Sequence, residues 1–287
     1  MLNMSLWALL AMLWGSSFLA IGVGVETLSP ALLVAGRMVI GAGILVVGLY
    51  LLGRNLRMGR RGWIIAFVAG MTGNVAPFLL ISYAGQTVDS GLAALIMGVA
   101  PIATVTLAPL VHPDETLGYL KIIGAAIGFS GLLLLFGPHV LGGLGAQLVP
   151  QLALLIAALS YASTSLFSRR FPHSDPMQMA AASVLVGAIV ICGYVLAQGS
   201  DLTFATMSTN SFIAMIYLGV GPTALAAVAY FYLLPRIGAG RLQQVNYAVP
   251  VIGVLLGVVL LHERPEWNVW AAMPVILLAV FFVTRKA

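Results

Sequence analysis

Residues 247–264 read YAVPVIGVLLGVVLLHER, and 149 residues earlier, residues 98–115 read GVAPIATVTLAPLVHPDE. Each run has a proline at its fourth position, Pro101 and Pro250, followed by an apolar stretch. A carboxylate comes thirteen residues after each proline, at Asp114 and Glu263. Because prolines and carboxylates coincide in order, the two runs indicate an internal repeat and not a chance likeness of apolar sequence.

The composition indicates that lipid is the solvent for most of the chain. Of its 287 residues, 61% are hydrophobic and 7% are charged, whereas a soluble domain has roughly 25% charged residues. The net charge of +5 comes from scattered residues that form no basic patch, so we expect no nucleic-acid partner. The single cysteine, Cys192, gives no disulfide framework or cysteine metal site.

Ten runs of the sequence are apolar over about 20 residues, the length that crosses about 30 Å of hydrocarbon. The predicted spans are residues 4–23, 31–52, 62–83, 90–110, 119–137, 150–168, 177–197, 211–233, 241–261 and 268–284. The segments between them are short and rich in turn residues, which leaves no room for a soluble domain. We therefore expect an all-α integral membrane protein with ten transmembrane helices.

The basic residues lie almost entirely on one side of this predicted topology. If the spans alternate in direction, eleven of the thirteen share that side: Arg54, Arg57, Arg60, Arg61, Lys121, Arg169, Arg170, Arg236, Arg241, Arg285 and Lys286. Positive charge marks the cytoplasmic side of a membrane protein. Both termini are therefore expected in the cytoplasm.

The internal repeat extends beyond the opening pair of runs. Trp14–Ser16 corresponds to Tyr161–Ser163, and Tyr83 to Tyr230, at an offset of 147 residues. This divides the chain into a first unit at residues 1–146 and a second at 147–287, with five predicted spans in each. Because five is odd, the second unit is expected to lie inverted relative to the first. Inverted repeats are a recurring plan of secondary transporters, which bind substrate at the repeat interface.

These features resemble a known family, the EamA-type branch of the drug/metabolite transporter superfamily. The resemblance is carried by Trp14-Gly15 in span 1, Arg37 in span 2 and the Pro250-to-Glu263 spacing in span 9, and it covers the whole chain. It is nearest to the YddG-type amino-acid exporters. It implies a ten-helix, multi-pass carrier of the bacterial inner membrane and an outward direction of transport. One departure is Asp114-Glu115, where the family usually has Glu at the acidic position.

No arrangement typical of an enzyme or a channel can be assembled from the sequence. All four histidines fall in loops or at span ends: His112, His139, His173 and His262. No carboxylate pair lies at membrane depth, and no ring-forming filter pattern occurs. We expect no catalytic residue, cofactor or metal, although a membrane-embedded lipid-modifying enzyme and a structural subunit stay open as alternatives.

Polar and aromatic side chains within the spans are the candidates for a substrate site. They are Trp14, Ser17, Asn74, Tyr83, Met97, Tyr161, Ser165, Tyr230, Gln244 (or its neighbour Gln243) and Tyr247. A polar group in hydrocarbon needs a partner, which is substrate or water in a carrier and a neighbouring helix in a packed bundle. Pro101 and Pro250 are candidate hinges. Spans 1, 3, 4, 6, 8 and 9 should line the cavity, with spans 5 and 10 at the periphery.

Arg37 is the charge that lies well inside a predicted span. Seven residues from Pro30 at 1.5 Å each place it about 10 Å below the outer boundary. A mid-membrane arginine costs about 2.5–3.5 kcal/mol on insertion scales. Either it pairs with structural groups, or it lines the outer half of a cavity or latches a gate through a carboxylate such as Glu26.

The sequence therefore predicts a carrier that exports small neutral or zwitterionic metabolites, amino acids in particular, by alternating access. A phosphorylated substrate would need more fixed basic groups than Arg37. Every acidic residue lies in a loop or near a span end, which favours a facilitative uniporter; the alternative is a proton-coupled metabolite or drug exporter of the same superfamily. The expected partners are a small-molecule substrate and membrane lipid, with a monomeric transport unit.

Overall fold

The computed structural model describes residues 2–88, 93, 96–111, 119–136, 141, 144, 145, 147–170, 175–198, 207–261 and 267–284. Within these ranges the secondary structure is helical and contains no strand. The α-helices are α1 Leu2–Val25, α2 Pro30–Leu51, α3 Arg60–Gly70, α4 Ala76–Ala84, α5 Val99–Val111, α6 Tyr119–Phe136, α7 Leu148–Arg170, α8 Pro176–Ala197, α9 Thr209–Leu218, α10 Ala226–Ile237, α11 Ala239–Gln243, α12 Val245–Leu261 and α13 Trp267–Thr284.

Six helical segments of the described residues are long and apolar enough to cross a bilayer. They are Leu2–Val25, Pro30–Leu51, Arg60–Ala84, Leu148–Arg169, Pro176–Ala197 and Thr209–Ile237. Shorter apolar helices occur at Val99–Val111, Ile122–Leu135 and Trp267–Ala279. The chain is thus an all-α, multi-pass membrane protein, while the count of ten spans stays a prediction.

Local chemistry sets where several of these helices begin. Ser29 accepts a hydrogen bond from the backbone N–H of Leu32, and Asp175 accepts two from the N–H groups of Met177 and Gln178. Each cap is followed by a proline at the first helical position, where a missing N–H costs nothing. The Asp175 carboxylate also accepts a hydrogen bond from Arg54 at 2.9 Å, which ties the end of α2 to the start of α8.

Two of the predicted spans are interrupted where the sequence predicts continuous helices. A π-helical turn at Met71–Val75 separates α3 from α4, and a second at Gly219–Leu225 separates α9 from α10. Pro77 follows the first turn closely and Pro222 lies within the second. Proline has no N–H to donate and crowds the preceding turn, and π turns cluster at functional sites. Span 9 is likewise divided, at Gln244, into α11 and α12.

The most extensive helix contacts pair α6 with α13 and α2 with α8. Helix α1 packs against α10 and α12, while α7 packs against α4 and α5. Each of these contacts joins a helix of residues 1–146 to one of residues 147–287. The centre of the protein therefore lies between the two halves of the chain.

Glycines permit close approach where helices cross, as small residues do in membrane bundles. A Cβ atom on Gly70 of α3 would lie 2.6 Å from the backbone oxygen of Ser183 on α8, whereas one on Gly22 of α1 would meet nothing within 4 Å.

We expect Gly70→Ala to lower the free energy of unfolding by about 1–3 kcal/mol, because the crossing backbones must separate. Gly22→Ala is the matched control, and we expect it to be neutral or slightly stabilising because alanine favours the helix by about 0.5–1 kcal/mol. Thermal unfolding of the purified variants in detergent measures both. Equal unfolding midpoints for the two variants would contradict the close contact.

Candidate functional site

Two cavities lie in the middle of the bundle, and both halves of the chain line them. The first, named here the Tyr230 cavity, encloses about 480 Å³ including its open mouth; its lining residues are Trp14, Ala69, Gly73, Asn74, Phe78, Tyr161, Thr164, Pro222, Thr223, Ala226, Ala227, Tyr230 and Phe231. The second, the Arg37 cavity, encloses about 650 Å³ on the same measure; its lining residues are Trp14, Ser17, Phe18, Ile21, Arg37, Phe78, Ile81, Met97, Tyr161, Asn246, Val249 and Pro250. None of these residues belongs to α6 or α13.

Three aromatic side chains separate the two cavities, since Trp14, Phe78 and Tyr161 line both. The rings of Trp14 and Tyr161 are stacked, with centroids 6.3 Å apart and planes inclined by 21°. Trp14 also contacts the ring of Tyr230 at 6.3 Å. This aromatic wall is a natural boundary between the two cavities.

Arg37 brings a positive charge to the wall of the Arg37 cavity. The residue is only 3% exposed, its Nε donates a hydrogen bond to Thr223 Oγ1 at 3.0 Å, and its guanidinium carbon lies 4.0 Å from the centre of the Phe78 ring. No carboxylate in the described part of the chain lies within ion-pair distance of it. Glu26 is exposed, so the gate latch between Arg37 and Glu26 that the sequence raised is not formed.

A network of side-chain hydrogen bonds runs beside the aromatic wall. The Nε2 of Gln243 donates to the backbone oxygen of Tyr161 at 2.9 Å and to the hydroxyl of Ser165. Asn246 donates from Nδ2 to Gln243 Oε1 at 2.7 Å, and the hydroxyls of Ser165 and Tyr230 lie 2.9 Å apart. The network thus links Asn246 in the Arg37 cavity to Tyr230 in the Tyr230 cavity.

Most of the candidates from the sequence lie at this centre. Trp14 and Tyr161 line both cavities, Asn74 and Tyr230 line the first, and Ser17, Met97, Arg37 and Pro250 line the second. Ser165 is fully buried within the hydrogen-bond network and lines neither cavity. Asn74 reaches its cavity from the first π turn.

The remaining candidates lie elsewhere. Tyr83 is 48% exposed at the end of α4, and Pro101 is buried within α5. Tyr247 is fully buried and donates to the backbone oxygen of Ala125 at 3.0 Å. Gln244 is fully buried and bonded through Nε2 to its own helix, at Gly240. None of the four lines either cavity.

Four residues of the site were missed, or only partly recognised, from the sequence. Phe78 and Thr223, which hold Arg37, look like ordinary residues of apolar spans. Gln243 and Asn246 follow a basic residue of α11, Arg241, and only Gln243 was considered, as an alternative to Gln244. The cluster Gln243, Gln244, Asn246 at the start of an apolar run was the available signal.

A multi-pass helical bundle with a polar and aromatic cavity between its two halves is the arrangement that a secondary transporter requires. The chain belongs to the EamA-like transporter family, whose model matches residues 2–137 and again residues 149–285. It is therefore a transporter and not an enzyme.

Relatives with high coverage carry transporter names. The chain is 29% identical over 276 residues to an inner membrane transporter of Escherichia coli (strain K12), YedA, whose name marks it as uncharacterized, covering 96% of this chain and 88% of YedA. It is 26% identical over 268 residues to a probable terminal-alkyne amino-acid exporter of Streptantibioticus cattleyicolor, covering 92% of this chain and 88% of that protein. A solved crystal structure with 22% identity matches the fold with a TM-score of 0.81 over 98% of this chain and 97% of the other.

Proposed function

We propose that this transporter exports small neutral or zwitterionic metabolites, amino acids in particular, across the bacterial inner membrane. The observation that carries the proposal is the buried Arg37 in a central cavity, with no carboxylate partner among the described residues. A buried charge without a fixed counterion is costly. A carboxylate brought by the substrate supplies that counterion each time the cavity is filled.

The other residues of the Arg37 cavity suit a zwitterion, in which one positive and one negative charge cancel. The rings of Trp14, Tyr161 and Phe78 offer apolar surface for a substrate side chain. The rings of Trp14 and Tyr161 also offer π-faces for an ammonium group, which attract a cation by about 0.5–2 kcal/mol, whereas the Arg37 guanidinium already covers a face of Phe78. Of the residues that line the two described cavities, Arg37 is the only basic one. A phosphate ester would need more positive charge than this, so we infer a substrate with a single carboxylate.

The proposal agrees with the relative from Streptantibioticus cattleyicolor, whose name specifies amino-acid export. At 26% identity that relative does not assign a substrate to this chain. The export direction rests on the family resemblance alone.

We further propose ten spans arranged as two inverted five-helix repeats, at residues 1–146 and 147–287, with both termini cytoplasmic. The double match of the family model and the π turns in spans 3 and 8 support two equivalent units. The contacts of α1 with α12 and of α7 with α5 form a corresponding pair across the two units. Alternating access then follows if the units rock about the central cavity, with Pro101 and Pro250 as hinges.

The test is counterflow in proteoliposomes that contain the purified protein. Vesicles loaded with one unlabelled amino acid should accumulate the same labelled amino acid transiently, and a screen of the twenty amino acids and one nucleotide sugar identifies the substrate class. Counterflow with the nucleotide sugar but with no amino acid would overturn the proposed substrate class.

Transport is expected to be uncoupled from ions. Glu26 and Asp175 are the carboxylates within the described residues, and neither lines a cavity. Asp89, which directly precedes predicted span 4, lies outside the described residues. A neutral substrate also feels almost no force from the membrane potential.

With an imposed pH difference of one unit, the steady-state ratio of the internal to the external concentration of a neutral amino acid should therefore stay near 1. One-to-one proton exchange would instead drive this ratio towards about tenfold. The measurement is uptake into proteoliposomes with and without the pH difference. Accumulation that disappears in Glu26→Gln or Asp89→Asn would replace the uniporter with the proton-coupled alternative.

A further inference from the structure

Asn246, near the start of α12, is an amide that lines the Arg37 cavity. Its Nδ2 donates to Gln243 Oε1 at 2.7 Å. Its Oδ1 receives no hydrogen bond from the described residues, although every other polar group of the Gln243 network is engaged. A polar oxygen at the wall of a membrane cavity therefore has its acceptor capacity free for a ligand.

The orientation of this amide is fixed by its neighbours. The backbone oxygen of Tyr161 can only accept, so Gln243 must turn Nε2 towards it, and Oε1 must point the other way. Because Oε1 can only accept, Asn246 must in turn offer Nδ2 to Gln243. Asn246 is left with its oxygen, and with the second N–H of Nδ2, outside the network.

The same network extends through Ser165 to Tyr230, which lines the other cavity. Ser165 accepts from Gln243 and donates its proton to the backbone oxygen of Tyr161 at 3.1 Å. With the Ser165 proton directed at Tyr161, the Tyr230 hydroxyl donates to Ser165 across their 2.9 Å contact; with that proton directed at Tyr230, the direction reverses. In the Arg37 cavity, Asn246 therefore offers an acceptor oxygen, whereas the guanidinium of Arg37 can only donate.

We propose that Asn246 Oδ1 is the subsite for the ammonium group of the substrate, with Gln243 as the residue that positions it. The inference rests on the proposed function, because it assumes a substrate that carries a carboxylate to Arg37. A donor cation and a neutral acceptor in one cavity select a molecule with both an anionic and an ammonium group. A site that hydrogen-bonds one group of its ligand rejects analogues without it, because its own polar atom is then left unpaired.

The experiment measures selectivity as a ratio within each variant. The probe is the amino acid with the strongest wild-type counterflow, and its competitors are the same molecule without the amino group and without the carboxylate. For L-leucine these are 4-methylpentanoate and 3-methylbutylamine. Inhibition of labelled counterflow gives the concentration of each at half effect.

The wild type should prefer the amino acid to the des-amino acid by at least tenfold. Asn246→Leu should bring that ratio close to 1, because the two molecules then differ by a group that the site no longer binds. Gln243→Leu should lower the ratio by a smaller factor, and Asn246→Asp should restore a preference for the amino acid. Asn268→Leu, which removes an amide at the α6–α13 contact, should leave the ratio at the wild-type value.

A wild-type ratio retained in Asn246→Leu would overturn the inference and leave the proposed function standing. Absence of counterflow for every amino acid with the wild type would overturn the proposed function itself, and the subsite with it. Where Asn246→Leu yields no folded protein, Asn246→Ser supplies the same comparison, because its shorter hydroxyl cannot occupy the position of the amide oxygen.

Discussion

Arg37→Gln is expected to weaken the apparent affinity for a transported amino acid by roughly 10- to 150-fold. Hydrogen bonds to a charged group contribute about 1.5–3 kcal/mol each, and every 1.4 kcal/mol is a factor of ten. Glutamine cannot supply the charge or the second donor that the guanidinium offers to a carboxylate. The concentration dependence of counterflow measures the effect.

Two further variants separate the role of Arg37 in binding from a role in folding. Arg236 also stacks on an aromatic ring, with its guanidinium carbon 3.7 Å from the ring centre of Tyr232, but it is exposed at the end of α10. Arg236→Gln should therefore leave the affinity unchanged. Arg37→Lys should fall between wild type and Arg37→Gln, since it keeps the charge but loses the planar contact with Phe78. An unchanged affinity in Arg37→Gln would remove Arg37 from the site.

Trp14→Ala is expected to lower the stability of the protein and to join the two cavities into one. Trp14 contributes two aromatic contacts, with Tyr161 and Tyr230, each worth about 0.5–1.5 kcal/mol beyond the buried area. These two contacts alone account for about 1–3 kcal/mol, which corresponds to a fall of roughly 2–12 °C in the unfolding midpoint. Because the ring also divides the cavities, we expect discrimination among substrates to decrease.

The measurements are thermal unfolding in detergent and a counterflow screen of the twenty amino acids. Trp14→Phe should retain most of both properties, because a ring remains between Tyr161 and Tyr230. Trp267 is 75% exposed, and Trp267→Ala controls for the removal of an indole that faces neither cavity. Wild-type stability and selectivity in Trp14→Ala would show that the stacked rings are not a functional boundary.

The class of protein was predictable from the sequence, because a membrane requires an apolar composition and apolar runs of spanning length. The family was recognisable from the resemblance carried by Trp14-Gly15, Arg37 and the Pro250-to-Glu263 spacing. A chain with 61% hydrophobic residues has to bury its backbone polar groups in helices when it enters a membrane. Arg37 and Trp14 were also recognisable, since a charge or an indole inside an apolar span is rare. The predicted transporter family and the absence of an enzymatic role are confirmed by the family match.

The direction in which each side chain points was much harder to predict. In a soluble helix the polar face marks solvent, but a membrane helix is apolar towards both lipid and its neighbours. Tyr83 and Tyr230 correspond in the repeat that the sequence predicts, yet Tyr83 is 48% exposed and Tyr230 is 8% exposed. Gln243 and Gln244 are adjacent in the sequence, but only Gln243 donates hydrogen bonds to Tyr161 and Ser165. The side of the helix on which each of these residues lies is set by helix packing and by the π turns.

The turns at Met71–Val75 and Gly219–Leu225 have a further consequence for how spans 3 and 8 present their two ends. A π turn holds about one residue more than an α turn, and one residue rotates the following helix by about 100° relative to an unbroken helix. The start of span 3 can therefore face α8 through Gly70 while its continuation turns Phe78 towards Arg37. Rotation of this kind uncouples the packing requirements of one half of a span from the chemical requirements of the other. A substitution in one half of the span then requires no compensating substitution in the other half.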